Sequence, residues 1–238
     1  MFDYTKNVLE LIEKAEEVNR DAILELSQLI EKTIVEDKII HCFGTGHGHM
    51  PGIELFGRAG GLGNVDAMID PDCIPTFGAR RSCAIERTSG VADVVYDSYK
   101  IEQGDIMIIT SNSGRNAMIV EMALRCRKEG IKVIAITNLN QSKNQASRHS
   151  SGMRLFELAD VVIDTCVPVG DVSLVYDGVE TGPVSSIMCM YLLNTCVAEA
   201  VKNLTEKGIK PLVFKSQNVD GNSNDEIYSK YEGRIKHY

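Results

Sequence analysis

Two serines, an amide side chain and a glycine stand together at Ser111-Asn112-Ser113-Gly114, directly after the apolar run 105–110. Serine hydroxyls and free backbone N–H groups suit the oxygens of a phosphate when they precede a helix, because the helix dipole is positive at that end. Asn116 extends the polar run. A helix N-cap needs only one such residue, so the excess indicates an anion-binding loop.

A second candidate loop, Gly44-Thr45-Gly46-His47-Gly48-His49, follows the apolar run 38–43 and precedes Pro51. Proline suits the first turn of a helix, and a glycine-rich turn at that point exposes N–H groups to an anion. A dinucleotide-binding G-x-G-x-x-G motif is a weaker alternative. Asp66 lies about twenty residues on, where a ribose-binding acid is expected, but His49 replaces the third glycine.

Two glutamates could act as general bases. Glu54 lies one turn into the helix that begins at Pro51, where the dipole favours a carboxylate and Arg58 could pair with it at i+4. Glu86 has Arg87 as its neighbour, so a structural salt bridge is its alternative role. Either carboxylate could remove a proton from a bound substrate.

The histidines offer further proton donors and acceptors. His47 and His49 could bind a divalent ion together with Glu54, but two loop histidines more often form ordinary hydrogen bonds, and we predict neither a metal nor another cofactor. His149, in the segment 147–152, could reach a site from its own or a neighbouring subunit. His41 lies within an apolar run and is predicted to be a core residue.

Composition excludes several classes of protein. The chain has 238 residues and a formal net charge of −8, so it has no long-range positive field for nucleic acid or anionic lipid. Its seven cysteines form no C-x-x-C pair, which favours a reducing compartment. The N-terminus does not resemble a signal peptide and no apolar run is long enough to span a membrane. We therefore expect a cytoplasmic protein.

Apolar runs and amphipathic segments alternate along the chain. Residues 2–35 have helical periodicity, with a bend predicted at Asn19-Arg20-Asp21. Strands are predicted at 38–43, 63–69, 105–110, 131–137 and 159–165, and helices at 51–60, 89–99, 115–129, 141–157 and 184–203. This alternation predicts a doubly wound α/β fold with a parallel sheet and helices on both faces. Ligands of such folds bind beyond the carboxyl ends of the strands.

The domain organisation follows from this pattern. Residues 1–36 form an N-terminal helical arm, and residues 37–238 form one ligand-binding domain. The helix 184–203 is apolar nearly all round for its first three turns, so it must be covered on every side. Because the arm also needs cover, we predict a homodimer or homotetramer.

The loop S-N-S-G-R-N resembles the S-x-S-G-x-[ST] phosphosugar loop of sugar isomerase (SIS) domains. Gly44-Thr45-Gly46 is similar to their first loop, and the segment 182–186 to their third ligand-facing segment. The whole chain most resembles a branch of that family named after phosphoheptose isomerases. The resemblance implies a five-stranded sheet of flavodoxin-like order, active sites shared between subunits and a sugar phosphate as ligand. It implies that the phosphosugar is bound by Gly44, Thr45, Gly46, His47, Ser111, Asn112, Ser113, Asn116, Ser185 and Ser186.

The resemblance also implies a reaction. SIS isomerases and SIS etherases both begin by removing a proton next to an open-chain carbonyl. The stretch around Glu54 resembles the one that carries the catalytic glutamate of phosphoheptose isomerases, and the stretch around Glu86 resembles that of the etherases. We predict a sugar-phosphate isomerase with Glu54 or Glu86 as base and His49 or His149 as further catalytic residues. The alternatives are an etherase or lyase and a non-catalytic phosphosugar sensor.

The chain departs from the family pattern at three places. Asn116 stands where Ser or Thr is common, and Gly48 stands where many first loops carry Ser. The last helix lacks the histidine that phosphoheptose isomerases use.

Overall fold

Five apolar runs form the central sheet of the computed structural model, which describes residues 1–238. They are β1 (Ile40–Gly44), β2 (Val65–Met68), β3 (Ile106–Thr110), β4 (Lys132–Thr137) and β5 (Val161–Asp164). All neighbours pair in parallel, in the order β2-β1-β3-β4-β5. This confirms the doubly wound α/β fold and its flavodoxin-like strand order.

The strand register brings the functional loops to one edge of the sheet. Gly44, the last residue of β1, pairs with Thr110 at the end of β3, and Thr110 pairs with Ile136 near the end of β4. Strands β2 and β3 flank β1 on opposite sides, so the connections that leave β1 and β3 run in opposite directions. The switch point lies between β1 and β3. A crevice at this switch point is where ligands of doubly wound folds bind.

Helices cover both faces of the sheet. They are α1 (Asp3–Val35), α2 (Met50–Leu55), α3 (Ala79–Ile85), α4 (Val91–Asp97), α5 (Ala117–Lys128), α6 (Leu139–Lys143), α7 (Leu155–Leu158), α8 (Ser185–Glu206) and α9 (Asp225–Tyr231). One apolar core lies between the sheet and α1, α2 and α8, and a second between the sheet and α4, α5 and α7. Burial on both faces explains why the central strands are continuously apolar. None of the helices combines the length and the hydrophobicity that a membrane span requires.

The arm is one continuous helix, so the predicted bend at Asn19-Arg20-Asp21 is wrong. The buried Asn19 side chain donates to the carbonyl oxygen of Asp164 on β5 at 2.7 Å and accepts from the Asp164 N–H at 2.7 Å. The amide thus satisfies the free backbone of an edge strand from within a helix. In the sequence, the polar Asn19 suggested that the helix ends; in the structure, it joins α1 to β5 by two hydrogen bonds.

The helix predicted at 141–157 is also wrong. The structure has the short helices α6 and α7 there, with a loop over 144–154 between them. Two hydrogen bonds hold this loop. The Arg148 N–H donates to the distant carbonyl oxygen of Arg115 at 2.9 Å, and within the loop Ser147 Oγ donates to the carbonyl oxygen of Met153 at 2.7 Å. Two helices, α3 and α9, were not predicted, and neither was the antiparallel hairpin of β6 (Leu174–Tyr176) and β7 (Val179–Thr181).

Helix α8 packs along α1, and its buried residues include Met188, Leu192 and Cys196. The N-terminal arm of the same chain therefore buries part of the apolar surface of α8. The homodimer or homotetramer stays a prediction, which a 26.2 kDa species in light scattering would contradict.

His41 lies in the core, as predicted, between two buried carboxylates. Its Nε2 is 3.2 Å from Asp105 and its Nδ1 is 3.5 Å from Asp66. Burial disfavours the imidazolium, but the hydrogen bond to Asp105 and the charge of Asp66 outweigh it and raise the pKa of His41 above its ordinary value. The raised pKa favours the charged form of His41, which offsets carboxylate charge inside the sheet.

A pH-dependent stability follows from this cluster. A histidine whose pKa is raised by folding stabilises the native state below its unfolded pKa of about 6.5, and this contribution is lost as the pH rises through the folded pKa. We expect the free energy of unfolding in urea to decline above pH 6.5, by at most about 1.4 kcal/mol per pH unit. His41→Gln should remove this part of the slope. An identical slope in both proteins would contradict the assignment.

Candidate functional site

A polar cavity of 520 Å³ opens at the carboxyl ends of β1, β3 and β4. Its lining residues are polar or charged apart from Cys189 and the glycines. They are Thr45, Gly46, His47, Gly48, Glu86, Arg87, Thr110, Ser111, Asn112, Ser113, Arg115, Asn116, Gln141, Gln145, Arg148, Gly170, Asp171, Ser185, Ser186 and Cys189. The cavity thus brings together the three sequence segments that were predicted to bind the phosphosugar.

The loop after β3, Ser111–Asn116, forms a cradle ahead of α5. Gly114 has a φ of +57°, and its N–H donates to Ser111 Oγ at 3.2 Å, which closes the turn. The backbone N–H groups of Ser113, Arg115 and Asn116 donate to no protein acceptor. Free N–H groups beside two hydroxyls at a helix N-terminus are suited to an anion with several oxygens.

The loop after β1 packs tightly against this cradle. A Cβ on Gly48 would lie 2.6 Å from the carbonyl oxygen of Thr110, and one on Gly44 would lie 2.1 Å from the carbonyl oxygen of Gly48. A serine at position 48 would therefore collide with β3, which accounts for one departure from the family pattern. Gly44 supports the loop without lining the cavity, whereas Thr45, Gly46 and His47 line it.

Glu86 lies at the end of α3, on the cavity wall next to the first loop. Its side chain is 16% exposed, and Thr45 Oγ1 donates to its Oε2 at 2.9 Å. The other oxygen has only long contacts, to Cys83 Sγ at 3.9 Å and to an Arg87 nitrogen at 3.8 Å. One carboxylate oxygen is thus oriented while the other keeps its capacity to accept a proton.

Three arginines in the cavity wall were not predicted to bind ligand. Arg115 donates to Gln145 Oε1 at 2.9 Å, and Arg148 donates to Asn116 Oδ1 at 2.9 Å. Arg87 makes only the 3.8 Å contact to Glu86 among carboxylates. Arg115 belongs to the recognised loop motif, but Arg87 and Arg148 come from segments whose proximity only the fold reveals.

The N-terminus of α8 is capped by Asp171. This carboxylate accepts from Val184 N–H at 3.0 Å, from Ser185 N–H at 2.7 Å and from Ser185 Oγ at 2.6 Å. Ser186 Oγ lies 3.8 Å from the Met50 sulfur. Both serines line the cavity, but the Asp171 carboxylate occupies the helix N-terminus that an anion could otherwise use.

Two glutamines, Gln141 and Gln145, were also missed. They follow the carboxyl end of β4, so the rule that places ligands beyond strand ends could have identified them.

Glu54, His49 and His149 do not line the cavity within this chain. Glu54 faces α8, where it accepts from Arg58 and, at 3.1 Å, from Asn194. His49 Nδ1 contacts the carbonyl oxygen of Gly46 in its own loop. His149 lies beside Glu121, with Nε2 3.4 Å from a carboxylate oxygen, in a separate depression.

The two alternative sites considered from the sequence are not assembled. No three His, Cys, Asp or Glu side chains lie together in a metal-binding arrangement, so His47, His49 and Glu54 do not form a triad. Asp66, the candidate ribose-binding acid, is a residue of the edge strand β2 and is fully buried beside His41. It cannot reach a dinucleotide in the cavity.

The sequence and the structure of this chain were compared with those of known proteins. A family model described as SIS domain matches residues 3–138. A UPF0309 protein of Caldanaerobacter subterraneus is 35% identical over 241 aligned positions, which cover 98% of this chain and 98% of the relative. The phosphoheptose isomerase of Neisseria gonorrhoeae superposes with a TM-score of 0.55 at 15% identity, over 82% of this chain and 94% of that chain. The Vibrio vulnificus NanR protein complexed with ManNAc-6P gives a TM-score of 0.51 at 13% identity, over 86% and 63%. These two structures show the fold, and the sequence matches show that the chain belongs to the SIS domain family, within its UPF0309 group.

Proposed function

We propose that this protein binds a sugar phosphate in the cavity and isomerises it by removing the proton next to its open-chain carbonyl. The observation that carries the proposal is the single cavity in which the serine-rich cradle and the Glu86 carboxylate meet. A phosphate anchor and a general base in one pocket are the two components that an aldose–ketose interconversion needs.

The cradle holds the phosphate. Ser111 and Ser113 supply hydroxyls, and the free N–H groups of 113, 115 and 116 supply charge-assisted hydrogen bonds at the positive end of α5. Superposable structures include a phosphoheptose isomerase and a protein complexed with ManNAc-6P. Family membership and the built cradle together support a phosphorylated sugar as the ligand.

Glu86 is the proposed base and His47, the histidine in the cavity wall, the proposed acid. Glu86 takes the proton from C2 of the aldose, and the C2–H electron pair forms the C1–C2 double bond. The carbonyl electron pair moves to O1, which takes a proton from His47. Return of the proton from Glu86 to C1, with loss of the O2 proton to His47, gives the ketose. Thr45 orients the carboxylate through its 2.9 Å hydrogen bond.

The proposal is tested by ligand binding followed by isotope exchange. A thermal-shift screen of sugar phosphates identifies a ligand, since saturation at about 100 times Kd adds about 2.7 kcal/mol to the free energy of unfolding. The hit is then incubated with the protein in deuterated water, and loss of its C2 proton is followed by NMR. We expect exchange and a ketose product. Exchange with elimination of a C3 substituent would identify an etherase, and binding without exchange would identify a sensor.

A further inference from the structure

Three arginines line the cavity in addition to the hydroxyls and N–H groups of the phosphate cradle. The chain has a formal net charge of −8, yet Arg87, Arg115 and Arg148 converge on this one pocket. The carboxylates in the wall are Glu86 and Asp171, and Asp171 is occupied by three donors at the start of α8. The local excess of cations in an acidic protein points to an anionic ligand group.

Two of these arginines are positioned by neutral partners. Gln145 accepts from Arg115 and Asn116 accepts from Arg148, both at 2.9 Å, and neither guanidinium has a carboxylate within ion-pair distance. The Nε of Arg115 is buried and has no hydrogen-bond partner. The amide partners fix the guanidinium groups without neutralising them, so their charge remains available to a ligand.

The three charges also act on one another. Partial burial, together with the nearby charges of Arg148 and Arg87, lowers the pKa of Arg115 below its ordinary value. Like charges held together without a counterion destabilise the empty site. A bound anion relieves this repulsion, and the cradle at Ser111–Asn116 already provides for the phosphate.

We propose that the ligand carries a second anionic group, a carboxylate or a second phosphate, which Arg115 and Arg148 bind with Arg87 beside them. Guanidinium groups bind both anions through two parallel hydrogen bonds. The proposal rests on the proposed function, because it assigns the phosphate of the sugar to the serine-rich cradle. It narrows the substrate class from sugar phosphates to acidic or doubly phosphorylated sugar phosphates.

Two matched pairs of ligands test the inference by calorimetry in about 0.1 M salt, where charges beyond about 10 Å are screened. N-acetylmuramic acid 6-phosphate is compared with N-acetylglucosamine 6-phosphate, which lacks the lactyl ether on O3 and with it the carboxylate. Fructose 1,6-bisphosphate is compared with fructose 6-phosphate. We expect the doubly anionic member of one pair to bind about 10- to 150-fold more tightly. A preference within the first pair would identify the second anionic group as a carboxylate, and a preference within the second pair would identify it as a phosphate.

Arginine variants test whether Arg115 and Arg148 cause the preference for the doubly anionic ligand. Arg115→Gln with Arg148→Gln should abolish the preference within the pair while the singly phosphorylated sugar still binds, which also shows that the variant is folded. Arg81→Gln removes a surface arginine that pairs with Asp72 and should leave the preference unchanged. A preference that persists in the double variant would overturn the assignment to these arginines.

Equal affinities within both pairs would refute the second anionic group and leave phosphosugar binding intact. Absence of binding by all four sugars and by the wider panel of sugar phosphates would refute both.

Discussion

Glu86→Gln should reduce the rate of C2 proton exchange by about 10²–10⁴-fold, the contribution of a well-positioned general base. The amide has the shape of the carboxylate and can still accept the hydrogen bond from Thr45, but it cannot take up a proton at neutral pH. Ligand affinity should change little, because the serine-rich cradle is untouched. The measurement is the initial rate of deuterium incorporation by NMR, with the sugar phosphate found by the thermal-shift screen.

Glu54→Gln is the matched control. Glu54 is bound by Arg58 and Asn194 on the α8 side of α2 and is not part of the cavity wall. We expect its substitution to affect stability more than exchange. If Glu54→Gln abolishes exchange while Glu86→Gln does not, the base has been assigned to the wrong glutamate.

The parts of the fold that the sequence predicted are those that depend on local pattern. Continuous apolar runs identified all five strands, because strands buried on both faces leave no polar alternation. Asn19 misled the prediction, since its amide satisfies the backbone of β5, a partner that is 145 residues away in the chain. The loop 144–154 likewise depends on bonds to Arg115 that no local pattern encodes.

The functional site likewise has one part that local sequence reveals and one part that only the fold assembles. The cradle is contiguous in sequence, so four neighbouring residues revealed it. The arginines come from the end of α3, the start of α5 and the loop before α7, and only the sheet register brings them together. In the segment 147–152 the sequence drew attention to His149, yet its neighbour Arg148 is the residue that enters the cavity. Adjacent residues on a loop point in different directions, which sequence spacing does not fix outside regular structure.

The cradle itself gives the second large effect. Ser111→Ala combined with Ser113→Ala removes both hydroxyls, and Ser111 Oγ also accepts the Gly114 N–H that closes the turn. A hydrogen bond to a charged group contributes about 1.5–3 kcal/mol, so the pair should cost about 3–6 kcal/mol of binding. That corresponds to an increase of about 10²–10⁴-fold in Kd. Calorimetry with the sugar phosphate found by the screen measures it.

A double substitution of the same chemistry serves as the control. Ser216→Ala with Ser223→Ala removes two hydroxyls from the C-terminal segment, where each accepts only a local backbone N–H. It should leave Kd unchanged. Without ligand, the Ser111 and Ser113 variant should unfold at a slightly lower temperature than the control, because Ser111→Ala removes the acceptor of the Gly114 N–H. If the Ser111 and Ser113 variant keeps the wild-type affinity, the phosphate is held elsewhere in the cavity, and the arginines become its binding site rather than that of a second anionic group.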